Sequence, residues 1–193
     1  GPGLRDRIQK TLDKKEGGRA IRIARFSKRP DWVGRDLLVI AESEKTTALE
    51  VALTVLTNGD ASIVNFSMTE DDVRFVMQLP WVATASDGRA ARPGTDKPHP
   101  RFYGTFPRKI GHYSVREKTL PVEKAVRSAT LLPANILGLA DRGQLKPGLV
   151  ADIIVWDRDE FIDQATFDEP HQYATGLKHS LVNGYLAIRN AQA

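Results

Sequence analysis

The feature that most restricts this fold is a hydrophobic period that switches repeatedly along residues 20–87. Ala20–Phe26 alternates Ile21 and Ile23 with charged neighbours, the period of a half-buried strand. Thr47-Ala-Leu-Glu50 has the form of a capping box. Leu49, Leu53 and Leu56 then share one face of a helix. Ala61–Phe66 is a short apolar strand. Ser67-Met-Thr-Glu70 is a second capping box, Val73, Val76 and Met77 carry the next helix, and Pro80 stops it. Trp81–Ala85 is again strand-like. Strand, helix, strand, helix, strand predicts βα units and a mostly parallel sheet. In such sheets the chemistry sits at the carboxyl ends of the strands.

The flanks read differently. Leu4–Lys15 places Leu4, Ile8 and Leu12 on one helical stripe, closed by Gly17-Gly18. Residues 88–118 are rich in Gly, Pro, Arg and His and show little periodicity, which predicts a long functional loop. Thr119-Leu-Pro121 opens a helix with Val122, Ala125, Val126 and Ala129 as its apolar positions, ended by Pro133. The tail is β-rich. Leu149–Trp156 is a strand, and Asn183-Gly184 between two apolar runs is a strong hairpin signal.

Composition removes several function classes. Among 193 residues there is no cysteine, which excludes disulfides, thiolate metal sites and cysteine nucleophiles, and fits a cytoplasmic protein. No apolar run approaches the ~18 residues that span a bilayer. The chain opens Gly1-Pro2-Gly3 without methionine, which reads as a protease scar or as the new end of a cut chain, and either reading predicts more protein upstream. Residues 1–35 hold eleven Lys and Arg against four Asp and Glu, while the whole chain carries only +4. These cations alternate with apolar residues, acids and glycines, and no aromatic platform is interleaved with them. A solvated helix and loop is therefore expected, not a nucleic-acid surface.

Two groups carry chemistry. Asp87 ends the apolar run that begins at Trp81 and precedes Gly88, the position where barrel enzymes place catalytic groups. An ordinary Asp-Gly turn is the plainer alternative. Arg101, fourteen residues on, offers a planar fork that matches a carboxylate. His99, His112, His171 and His179 form neither a His-x-His pair nor a helical i, i+4 pair, so none is assigned to a metal. His99 is a candidate for orienting a loop, and His171 and His179 read as surface or turn residues. No phosphate loop, dinucleotide fingerprint or nucleophile elbow is present.

Ser86-Asp87-Gly88, the block His99-Pro-Arg-Phe-Tyr-Gly-Thr-Phe-Pro-Arg108 and the stretch Gly143-Gln-Leu-Lys-Pro-Gly148 leading into Ala151-Asp-Ile-Ile-Val155 stand in this order. Ala165-Thr-Phe-Asp-Glu-Pro170 and Leu181-Val-Asn-Gly184 follow. Together they resemble the C-terminal part of N-acyl-D-amino-acid deacylases (D-aminoacylases) of the amidohydrolase superfamily. The likeness covers most of residues 60–190 and only loosely residues 4–60.

The resemblance implies an α/β fold, the C-terminal portion of a (β/α)8 amidohydrolase barrel plus C-terminal strands of a small β-sandwich. Residues 1–140 would be the last βα units, with the active-site loop at 88–118, and residues 141–193 would belong to the sandwich. It implies zinc-assisted hydrolysis of the amide of N-acyl-D-amino acids, with Asp87 as general base and acid. Arg101 would hold the substrate α-carboxylate, with help from Tyr103. The histidine ligands of the family lie upstream of the matched part. The isolated chain is therefore expected to bind no zinc, except possibly through Asp87, and to be inactive. Its exposed faces would be covered by the missing N-terminal half or by self-association. The alternative is a non-catalytic binding or scaffold module that keeps the amidohydrolase fold.

Overall fold

A computed structural model describes residues 2–90 and 92–192. The described residues of 1–68, 91–99 and 166–171 form one compact unit, and those of 69–90, 100–165 and 172–193 form a second.

The first unit holds α1 (Pro2–Asp13), β1 (Ile21–Phe26), α2 (Leu37–Glu44), α3 (Ala48–Asn58) and β2 (Ala61–Asn65). Its core joins Leu12 of α1, Ile23 and Phe26 of β1, Leu37, Ile40 and Ala41 of α2, and Val51 of α3 around Trp32. Thr47 caps α3 by accepting from the Glu50 amide, as its sequence form predicts. The buried side of α3 is Ala48, Val51, Ala52 and Val55; Leu49 also packs on this core, whereas Leu56 is exposed. Leucine spacing alone therefore misplaces the stripe.

β1 and β2 pair antiparallel, Ile21 opposite Asn65 and Phe26 opposite Ala61, which overturns the expected parallel pairing. The reason is α2, whose short apolar run Leu37–Ala41 has no helical period of its own. Asp36 starts it by accepting from the Val39 amide. One intervening helix returns a chain parallel, whereas the α2–α3 pair brings it back in the opposite sense. Segment 92–99 is tied to β1 by the Lys97 amide donating to the Ala24 carbonyl at 2.7 Å.

The second unit holds α4 (Glu70–Gln78), α5 (Arg101–Pro107), a π-helix (Arg108–Arg116), α6 (Val122–Ala129), α7 (Leu131–Ile136), and strands β3 (Ile153–Trp156), β4 (Leu177–Val182) and β5 (Tyr185–Arg189). Its core is Ile110, Tyr113, Leu120, Ala125 and Phe161. Strands β3, β4 and β5 form an antiparallel sheet in that order, and Asn183-Gly184, both at positive φ, turns the predicted hairpin.

Three local expectations are corrected. The cap of α4 is Thr69, which accepts from the Asp72 amide, two residues beyond the predicted cap. Residues 101–116 are helical rather than loop. Lys109, Ile110, Gly111, Tyr113 and Ser114 are buried together, a pattern widened by the π-turn and invisible to a 3.6-residue period. The break predicted at Pro133 falls at Thr130 (φ −130°, ψ −86°), and Pro133 sits in the first turn of α7, where its missing N–H costs little. Residues 81–87 form no strand. Among the described residues no strand lies beside them, and an isolated extended segment has no ladder to join. No described helix is long and apolar enough to cross a membrane.

Candidate functional site

The site belongs to the second unit and starts with the extended segment 81–87. The Thr84 amide donates to the Ser128 carbonyl at 2.7 Å, which ties this segment to α6. At its end Asp87 adopts φ +46°, the left-handed region, which aspartate tolerates better than most residues but still at a cost. The Gly88 amide donates to the Ser86 hydroxyl at 3.1 Å and closes the bend. Gly88 is favoured by close approach. A Cβ there would lie 3.2 Å from both the Cα and the ring of Phe102. Removing that Cβ lets the segment end sit against the start of α5.

Arg101 is the first residue of α5, and its guanidinium meets the Asp87 carboxylate at 2.8 Å. Two residues fourteen apart in sequence are thus joined. The Asp87 side chain is 84% exposed and that of Arg101 41%. An ion pair so open to water contributes only ~0–1 kcal/mol to stability, so the fold does not depend on it. Tyr103, two residues further along α5, packs edge-on against Tyr173 with ring centres 5.6 Å apart.

The floor beneath α5 is tighter. A Cβ on Gly104 would lie 2.9 Å from that of Asp163, whose side chain is 6% exposed and pairs with Arg108 at 3.3 Å. Burial opposes the Arg108 charge, but the Tyr113 hydroxyl and Asp163 outweigh it and leave the guanidinium pKa raised. This pair fixes the join between α5 and the π-helix. Sequence spacing gives no hint of it, because Asp163 lies fifty-five residues away.

The histidines are not gathered at this site. His171 meets the Asp96 carboxylate at 3.1 Å and is largely buried within the first unit, which corrects its reading as a surface residue. His99 stacks edge-on to Phe167 at 5.0 Å in the same unit. His112 meets Glu117 at 3.0 Å, and His179 accepts from the Asn190 amide. Among the described residues no three His, Asp or Glu side chains are placed to hold a metal, and Asp87 faces a guanidinium. The donors of this chain therefore do not fit a zinc site by themselves.

The profile of the Amidohydrolase family matches residues 44–187. The N-acyl-D-glutamate deacylase of Alcaligenes xylosoxydans xylosoxydans is 38% identical over 164 residues, covering 85% of this chain and 32% of that protein. The D-aminoacylase of the same organism is 37% identical over 155 residues, covering 80% of this chain and 31% of that protein. The crystal structure of a D-aminoacylase superposes with a TM-score of 0.80 at 35% identity, covering 89% of this chain and 35% of that one. The N-acyl-D-glutamate deacylase of Bordetella bronchiseptica, solved with zinc and a phosphonate inhibitor, gives 0.81 at 33% identity, covering 93% and 38%. The chain spans about a third of the length of the curated relatives it matches.

Proposed function

Because this chain belongs to the amidohydrolase family, we propose that it is the part of a metal-dependent N-acyl-D-amino-acid deacylase that carries the proton-transfer aspartate and the carboxylate-binding arginine. The observation that carries this reading is the pairing of Asp87 with Arg101 at the end of segment 81–87. The pair is solvent-open and dispensable to the fold, sits on a left-handed aspartate, and brings an acid–base group beside a carboxylate receptor.

The residues divide the work as follows. Arg101 presents a planar fork to the α-carboxylate of the substrate, an orienting contact that also favours one stereoisomer. Binding exchanges one carboxylate on Arg101 for another and releases Asp87. The freed Asp87 carboxylate accepts a proton from the attacking water and returns it to the amine nitrogen as the amide C–N bond breaks. Tyr103 completes the wall on the α5 side.

Zinc is the metal assigned to the complete enzyme, a choice supported by the zinc-bound deacylase of Bordetella bronchiseptica. Its ligands are assigned to residues outside this chain. Residues 1–140 are proposed as the end of the (β/α)8 barrel and 141–193 as sandwich strands; the antiparallel β3–β5 sheet supports the second assignment, whereas the antiparallel β1–β2 pair lends the first no support. The cysteine-free composition supports a cytoplasmic location.

The test is hydrolysis of N-acetyl-D-amino acids by the zinc-loaded complete enzyme, with the L-enantiomers as controls. Asp87→Asn is expected to lower turnover by about a thousandfold while zinc content stays near that of the wild type. Wild-type turnover in that variant would remove Asp87 from the mechanism.

A further inference from the structure

Lys109 is the buried cation of the second unit. Its residue is 6% exposed, and its Nζ donates to the Thr84 hydroxyl at 2.7 Å. The hydroxyls continue in one direction. Ser128 spends its proton on the Ala125 carbonyl at 2.9 Å, so the Thr84 hydroxyl, 3.2 Å away, donates to Ser128. The chain of donors therefore runs from Lys109 through Thr84 and Ser128 to the backbone of α6. Lys109 forms no ion pair among the described residues.

This arrangement is costly. A buried amine without a carboxylate is penalised, and burial pushes the Lys109 amine below its ordinary value. A methionine would fill the same stem volume more stably. What the lysine does supply is a hold on a segment that lacks a strand partner. Within residues 81–87 the backbone is anchored at Val82, whose amide donates to Leu79, and at Thr84, whose amide donates to Ser128. Thr84 is also gripped by its side chain, and it lies three residues before Asp87.

We infer that Lys109 is a positioning residue for Asp87: acting through Thr84, it holds segment 81–87 so that the carboxylate at its end is presented at the site. The catalytic consequence rests on the deacylase reading above. The hold on the segment does not, and the two can be tested apart.

The variants are Lys109→Met, which keeps the apolar stem, Thr84→Val, which keeps the branched shape, and the double variant. The first readout is amide exchange at Thr84, with backbone order at 85–88, in the 193-residue chain. Each single variant is expected to speed amide exchange at position 84 by about tenfold, after correction for the intrinsic rate of the residue there, and to loosen 85–88, with no further change in the double variant. Protection within α6 should persist. The melting temperature of Lys109→Met should hold or rise, a result that a merely structural lysine would not give.

The second readout is turnover by the complete enzyme, where kcat should fall by about tenfold with KM unchanged. Unchanged exchange at Thr84, additive single effects, or exchange that rises throughout the unit would each overturn the inference. So would unaltered kcat in an active enzyme. Where the wild type shows no deacylase activity, the exchange result still decides whether Lys109 holds the segment, and the deacylase reading alone is lost.

Discussion

At the scale of single residues, three glycines of the second unit lie where a side chain would meet a neighbour. Gly88 lets the Asp87 bend lie against Phe102, and Gly104 lets α5 lie against Asp163. Gly111 is the strictest case. A Cβ there would overlap the Phe161 carbonyl oxygen, a backbone atom with no rotamer to yield. Gly111→Ala is therefore expected to destabilise the second unit by about 3 kcal/mol or to prevent it folding. Urea unfolding followed through Trp156, which packs on Phe161 with ring centres 5.2 Å apart, measures this. A midpoint equal to wild type would mean that the Phe161 backbone moves freely. Sequence reading singled out Asp87 and Arg101, because an acid ending an apolar run and an arginine on a following block are local signals. It passed over Lys109, because one lysine in the mixed-polarity stretch 101–116 carries no sign of burial.

At the scale of elements, the join between the Pro30–Trp32 turn and α2 is electrostatic. Arg29 pairs with Asp31 at 2.8 Å and with Glu44 at the end of α2, and lies over the Trp32 ring at 4.4 Å. The hydrogen bond from Arg29, then that from the Trp32 indole, holds the Glu44 carboxyl below its ordinary value of 4.5. The Asp31 carboxyl is held down chiefly by Arg29. Depressed carboxyl values stabilise the fold above the ordinary pKa, and that contribution is lost as pH falls through the folded values. Stability should therefore decline below about pH 4.5. Glu44→Gln should lower the melting temperature at neutral pH and flatten the acid decline. Parallel curves for the two proteins would exclude Glu44 as a source of acid sensitivity.

At the scale of the whole molecule, several large apolar side chains of the C-terminal sheet face solvent. Ile154, Val155, Val182, Tyr185 and Leu186 are all about half exposed or more on the β3–β5 sheet. Exposed apolar patches and open strand edges mark surfaces that another polypeptide covers. The purified chain is therefore expected to self-associate through this sheet. Light scattering coupled to size exclusion decides this. A stable species at 21.4 kDa would show that the sheet tolerates water uncovered.

Elements with strong local causes can be read from the order of the residues alone. The α1 stripe, the Thr47 cap, the Asn183-Gly184 hairpin and the family likeness were all legible, since each depends on neighbours within a few residues. Tertiary structure decided the rest. The antiparallel β1–β2 pairing depends on two helices packing as a pair. The loss of strand at 81–85 depends on what lies beside it, and the helical state of 101–116 depends on burial against Phe161. The union of Asp87 with Arg101 and the grip of Lys109 on Thr84 are contacts between residues fourteen and twenty-five positions apart. Periodicity reports which face of an element is apolar. It carries no record of which distant groups meet there, because that is fixed only when the chain closes on itself.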